Sequence, residues 1–390
     1  MKKMRKLGEI IELFDKRNKS LESTEVLGIS IDKEFMPSVA NTIGTDLSNY
    51  KLISKNIFVC NPMHVGRDER LPVSLYLRET PALVSPAYFM FKIKNENEVL
   101  PEFLMLLFKR KEFDRNCWFR TDGSVRGGIS WDDICEIKLP VPPLNEQQKI
   151  VDTYNAITNR IQIKKKINEN ILKQGIQIVQ NFVGNAIYSN KTDSEIEEIK
   201  SSLPINQKMI TIKEFCMNTK SGLTPSRTEI DYWKNGNIPW LKSGEVHNNV
   251  TVETEEYITK KATEETSAKL LPENTVLMAM YGVTAGEVGY LGIEATTNQA
   301  ICGMICNSIE DAAYLYFALL QNQKEISSLA NGGAQNNLSK ELIENLKIVI
   351  PENISELRLN VLVRNLILNT KELQKLNQLK QLVVSQISKR

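Results

Sequence analysis

The sequence predicts an α+β protein built by tandem duplication: two globular units that mix short strands with helices, each followed by a long helix. Three observations predict it. Two long stretches, one mid-chain and one at the C-terminus, carry apolar residues at three/four spacing. The segment at 123–142 falls on 332–351 at an offset of 209 residues. The elements upstream of both segments come in the same order.

The repeat is followed element by element. MRKLGEII (4–11) parallels TIKEFCMN (211–218), and KLISKNIFVCNP (51–62) parallels KLLPENTVLMAM (269–280), each a lead-in, a turn and a buried strand. SPAYFMF (85–91) parallels NQAICGM (298–304), and the helix EFLMLLFKR (102–110) parallels AAYLYFALLQ (312–321). Gly123, Ser130, Ile134, Lys138 and Pro142 then meet Gly332, Ser339, Ile343, Lys347 and Pro351. The copies diverge where loops belong. The second carries SGLTPSRTEIDYWKNGNIPWLKSGEVHNN (221–249), which the first matches only in VLGISIDKEF (26–35). A shared scaffold with divergent loops fits two binding modules that read different things.

The first long helix opens after prolines 140, 142 and 143, with Asn145 offering an N-cap oxygen and Gln148 three residues later. Its seam is Ile150, Tyr154, Ile157, Ile161, Ile171, Ile178 and Phe182, and Gly175 is its one glycine. It would span roughly 55 Å. The second follows Pro351, with Leu359, Leu362, Leu366, Leu373, Leu376, Val383 and Ile387 on its seam. Lys164 and Asn168 interrupt the first seam, Asn369 and Lys380 the second; polar seam residues cost stability and can fix register. The helices are expected to pair with each other. Ser189–Asn206 is polar, ends near a proline and reads as a linker. The expected boundaries are 1–140, 141–188, 189–206, 207–350 and 351–390.

Composition excludes several classes. At 390 residues, 42% apolar and 25% charged, the chain has the make-up of an ordinary globular protein with two or three domains. No apolar run is long enough to span a membrane, and MKKMRKLGEII lacks a signal core, so a cytoplasmic protein is expected. The six cysteines form no CxxC pair and read as reduced thiols; two distant histidines, His64 and His247, support neither a zinc site nor a catalytic triad. There is no Walker A motif, no GxGxxG, no paired-carboxylate nuclease motif, and only half of an Asn-Pro-Pro-aromatic signature at Asn61-Pro62-Met63-His64. We therefore expect no catalytic residues, no metal and no cofactor: binding and positioning, with no bond-making. The net charge of +2 neither demands nor excludes nucleic acid, because a local basic face suffices. Arg67, Arg70 and Arg78 form one such cluster. Lys109, Arg110, Lys111, Arg115, Arg120 and Arg126 form a second, which reads equally as the solvated face and C-cap of a helix over 101–113.

PPLNEQQKIV (142–151) followed by a long polar helix resembles the central region of type I restriction-modification specificity subunits. SGLTPSR (221–227), YWKNGNIPWLKSGEV (232–246) and TTNQA (296–300) resemble segments of that family's target-recognition domains, in the expected order. The first unit departs more, lacking the Thr-Pro-Ser loop and the Pro-Trp segment. The second helix keeps one proline of the Pro-Pro-Leu lead-in. The resemblance implies two target-recognition domains, each reading half of a bipartite asymmetric site in double-stranded DNA. It implies long helices packed as an antiparallel coiled coil that fixes the spacing. It also implies partners: methyltransferase subunits carrying S-adenosylmethionine, and a translocating restriction subunit.

Under that resemblance, base readers should be polar or basic loop residues. In the second unit these are Ser221, Thr224, Ser226, Arg227, Lys242, Ser243, Tyr281, Asn298 and Gln335; in the first, Arg67, Arg70, Arg120, Ser124 and Arg126. Trp131, Trp233 and Trp240 are expected in the core. Asn145, Glu146 and Gln147 divide evenly between partner docking and simple helix-start roles. The rival classes are a coiled-coil scaffold that touches no DNA and a free-standing methyltransferase or nuclease.

Overall fold

A computed structural model of the chain describes residues 3–39, 44–63, 65–121, 127–189, 191–331 and 337–387. The chain forms two compact units, residues 1–160 with 376–390 and residues 161–375. The division cuts both long helices partway along. The reason is burial: each half of a helix covers its seam with the globular core beside it.

In the first unit, Lys3–Lys6 pairs antiparallel with Lys138–Val141. One sheet has the order Ile11–Leu13, Phe89–Ile93, Phe58–Cys60, Val73–Leu75. A second has the order Phe35–Pro37, Val26–Ile29, Ala82–Val84, Lys51–Ile53, and its middle pair is parallel. The helix Pro101–Phe108 begins with proline at its first turn and buries every residue but Glu102. The continuous helix expected over 101–113 breaks at an extended Arg110, and a second helix runs Lys111–Phe119. The rings of Phe108 and Phe113 pack at a tilt, 4.7 Å apart. In one unbroken helix they would point about 140° apart, so the break is what brings both rings into the core.

The second unit repeats this plan. Gln207–Thr211 pairs with Lys347–Pro351. The larger sheet has the order Asn218–Ser221, Ile301–Ile305, Val276–Ala279, Val288–Leu291, Val250–Thr251. The smaller has the order Glu256–Ile258, Ile238–Leu241, Thr296–Thr297, and its last pair is again parallel. Individual backbone bonds recur. Ile129 N donates to Pro62 O at 3.1 Å, as Leu338 N does to Met280 O at 2.7 Å. Tyr88 N donates to Ser85 O at 3.1 Å, as Ile301 N does to Asn298 O at 3.3 Å. The duplication therefore extends to the backbone hydrogen-bond scheme of each unit.

The stretch read as a linker carries a packed helix. Asp193–Ser202 is a helix closed by a capping box between Thr192 and Glu195. Ile196 is buried in the second unit's core, and Ile199 and Leu203 pack on it. Three apolar residues at helical spacing anchor a segment whose overall polarity concealed them.

The first long helix runs Leu144–Val183, so Asn145 lies inside its first turn and does not cap it. The second runs Leu359–Gln386, after a short 3-10 turn and a left-handed Arg358 at φ 51°. Within the second unit the two pair antiparallel: Lys164 meets Glu372 at 2.8 Å, and Asn369 donates to Asn168 at 3.0 Å. Lys164 also donates to Asn369 Oδ1 at 2.8 Å. The polar seam residues thus satisfy one another, and a register shift would strand them. Within the first unit, Lys380 lies 5.1 Å from the Tyr154 ring centroid, and Val383, Val384 and Ile387 join that unit's core. Phe182, expected on the seam, is 53% exposed, while Val179 is fully buried. Near its end the helix turns a different face to the second unit's core.

Candidate nucleic-acid interface

In the second unit the chain leaves the strand Asn218–Ser221 into a loop that is tied down on all sides. Gly222 sits against the backbone of Thr297 and Asn298, where a Cβ would overlap main-chain atoms. Leu223 N donates to Thr297 O at 2.9 Å. The two indoles fix the next residues: Trp240 Nε1 donates to Leu223 O and Trp233 Nε1 to Ser226 O, both at 3.0 Å. Thr224 donates its hydroxyl to Gln299 Oε1 at 2.6 Å, and Ser226 and Thr228 share a 2.8 Å hydroxyl contact.

Arg227 leaves this loop with its guanidinium 3.6 Å from the Trp233 ring centroid and 4.9 Å from that of Trp240. It forms an ion pair with Glu256, on the edge strand of the small sheet. Lys242 Nζ bridges Glu255 at 2.7 Å and Glu256 at 3.2 Å. Glu245 accepts from the backbone N–H of Lys242 at 3.0 Å and of Glu255 at 2.9 Å. The hydrogen bond from Arg227 holds the Glu256 carboxyl below the usual carboxylate range, against the upward push of partial burial and with help from Lys242. Asn298 N donates to Leu241 O at 2.9 Å, which puts Asn298 at the end of the strand that leads to Lys242 and Ser243.

Thr224, Ser226 and Arg227, on the loop that follows Ser221 at the edge of the larger sheet, thus lie against the small sheet whose strand ends lead to Lys242, Ser243 and Asn298. Tyr281 lies on another loop, bridged to Asn337, and Gln335 lies outside the described residues. Trp240 is core, as expected; Trp233 is half-buried, and Arg227 occupies its ring face. Sequence reasoning missed Glu255, Glu256 and Gln299. The acidic run TVETEEY carries no signal that one of its carboxylates pairs with an arginine 29 residues earlier.

In the first unit each arginine of the cluster takes its own carboxylate. Arg67 pairs with Asp68 at 2.7 Å, Arg70 with Asp32 at 3.2 Å and Arg78 with Glu25 at 3.0 Å. Arg120 caps the helix Lys111–Phe119, and Ser124 and Arg126 lie outside the described residues. The second basic cluster is not one face: Arg110 is buried and pairs with Glu112, and Lys109 donates to the Tyr154 hydroxyl at 3.3 Å.

The loop bearing Arg70 is anchored from below. Lys33, 5% exposed and at φ 66°, donates to Asp114 Oδ1 and to Phe108 O, each at 2.6 Å. Leu71 N donates to the same carboxylate oxygen at 3.2 Å. Burial draws the Lys33 pKa down and Asp114 opposes it. Lys33→Met is expected to leave Asp114 without its cation and to destabilise the protein by about 3 kcal/mol in denaturant unfolding. A loss under about 0.5 kcal/mol, the size of an ordinary surface change, would refute this anchoring role.

Of the residues weighed for docking, Asn145 and Glu146 are exposed. Gln147 is fully buried; its amide donates to Glu98 O and Pro142 O at 2.8 Å and accepts from Leu100 N at 2.9 Å. Gln147 therefore ties the start of the helix to its unit.

The family described as "Type I restriction modification DNA specificity domain" matches residues 2–173 and 204–380. The MjaIX type I restriction enzyme specificity subunit of Methanocaldococcus jannaschii is 24% identical over 257 residues, 65% of this chain and 59% of that relative. This chain thus spans about three-fifths of the relative's length. The HindI specificity subunit of Haemophilus influenzae is 24% identical over 326 residues, 67% of this chain and 70% of that relative. The crystal structure of the type I restriction-modification S subunit from M. genitalium superposes with a TM-score of 0.61 at 15% identity, covering 99% of this chain and 96% of that one. At that identity the likeness is one of fold.

Proposed function

Because the chain belongs to the family of type I restriction modification DNA specificity domains, we propose that it is the non-catalytic, sequence-specific DNA-binding subunit of a type I restriction-modification complex. Its two units read the two halves of a bipartite, asymmetric site in double-stranded DNA. The observation that carries this reading is the duplication itself. One backbone scheme occurs twice, down to single hydrogen bonds such as Ile129 N to Pro62 O and Leu338 N to Met280 O. The loops that it presents differ in chemistry. Two unlike readers on one chain give a non-palindromic site, whereas two identical ones would give a palindrome.

The paired helices, locked in register by Lys164, Asn168, Asn369 and Glu372, set the gap between the half-sites. Their exposed apolar residues, among them Ile163 and Leu368, offer a surface to methyltransferase subunits that bring S-adenosylmethionine, and the exposed Asn145 and Glu146 at the start of the first helix offer polar contacts of their own. A restriction-translocase subunit completes the complex in the cytoplasm.

The test is co-purification with a candidate methyltransferase subunit, followed by mapping of methylated adenines in genomic DNA. A split, non-palindromic motif that disappears when this chain is deleted is expected. Methylation that persists unchanged without the chain would favour a scaffold that touches no DNA.

A further inference from the structure

We propose that Glu256 is a positioning residue that presents Arg227 to the edge of a guanine in the second half-site, so that this patch reads a base and not a phosphate. The inference rests on the reading of the chain as a DNA-specificity subunit and adds to it a named discriminating pair.

Arg227 is held at three levels. Its backbone is flanked by the indole hydrogen bonds to Leu223 O and Ser226 O. Its guanidinium plane is backed by the Trp233 ring at 3.6 Å. One of its nitrogens, Nη1, is tied to Glu256 on a paired strand. The side chain is nevertheless 51% exposed, so a held fork still faces solvent. A guanine presents two acceptors, O6 and N7, in the major groove, and a planar two-donor fork matches them. Rigidity before contact removes the ordering cost that a free arginine would incur on binding.

Charge decides against a phosphate. Two cations, Arg227 and Lys242, pair with two carboxylates, those of Glu255 and Glu256, and the Glu245 carboxylate lies beside them on the backbone N–H groups of Lys242 and Glu255. A patch with no surplus positive charge gives a phosphate backbone little attraction, whereas recognition of a base edge depends on donor geometry. The same carboxylates could instead act as a latch that mimics phosphate and is displaced by DNA. The two readings differ in sign. Removing the Glu256 charge weakens base discrimination if Glu256 positions Arg227, and tightens binding to every sequence if it is a latch.

The experiment uses the full chain in complex with its methyltransferase partner. Binding is measured to a duplex carrying the mapped site and to duplexes with each pair of the second half-site changed in turn, at several salt concentrations. Arg227→Ala and Arg227→Lys are expected to lose about 5- to 150-fold of preference at one G·C pair and to keep every other preference. Glu256→Gln is expected to lose part of the preference at the same pair. The slope of log affinity against log salt should stay at the wild-type value in all three. Arg227→Lys keeps the charge, so its loss identifies the fork itself; its unfolding midpoint should match the wild type.

Uniform weakening of Arg227→Ala with a salt slope lower by about one would assign a phosphate contact and overturn the proposal. So would a general tightening by Glu256→Gln, or preferences unchanged in Arg227→Ala. A wild-type complex that binds no mapped site overturns the functional reading itself, and this inference with it.

Discussion

Exchanging residues 205–345 for the matching stretch of a relative is expected to replace the second half of the recognised DNA site and leave the first half as it was. The exchanged stretch contains the small sheet and the loops that carry Thr224, Arg227, Lys242 and Asn298, together with their ties to Gln299 and Glu256. The first unit keeps its own core of Phe58, Phe91, Phe103 and Phe108, which needs nothing from that stretch to form. Each mismatched pair costs about 1–3 kcal/mol, roughly additively, so a chimera offered the old site should lose at least about a hundredfold in affinity over a three-pair half-site. The measurement is a methylation map of cells carrying the chimera. A change in the first half-site would show that the two readers are not independent.

Gly175→Ala is expected to destabilise the second unit by about 2–3 kcal/mol, although the same change in an exposed helix gains close to 1 kcal/mol. The reversal of sign comes from one contact. Gly175 lies in the first long helix against the ring of Phe317, and a methyl built there overlaps the ring. Phe317 cannot retreat: it is fully buried on the helix Ile309–Gln321, with Tyr316 packed at 5.2 Å. Phe317→Leu shortens the side chain and should relieve the clash. The double variant is therefore expected to be more stable than Gly175→Ala alone, a coupling measurable by urea unfolding of the four members of the cycle. A Gly175→Ala protein more stable than the wild type would mean that the helix and the ring do not approach this closely.

Much of the fold was legible because it is written in local periodicity. The three/four seams from Ile150 and from Leu359 marked both long helices, and the offset that puts Gly123 on Gly332 exposed the duplication. Buried strands such as Phe58–Cys60 and Val276–Ala279 stood out as short apolar runs after turns. The loop residues Thr224, Arg227 and Lys242 were singled out by residue type and loop position; of these, Arg227 and Lys242 share the Glu256 carboxylate and Thr224 is tied to Gln299.

What the tertiary structure decided concerns partners distant in sequence. Gln147 looked like any polar residue at a helix start, but the carbonyls of Glu98 and Pro142 make it a buried tie. The stretch 193–202 looked like a linker until a core was present to receive Ile196. Phe182 satisfied the seam's arithmetic and still lies outside, because the core beside it takes Val179. Arg227 was recognisable as a candidate, but its orientation was not: that depends on Glu256, Trp233 and Trp240, which reach it from separate elements of the fold. Periodicity is a property of neighbours along the chain and survives in the sequence. A side chain's partner is chosen by which surfaces pack together, and that choice is made only when the whole unit closes around it.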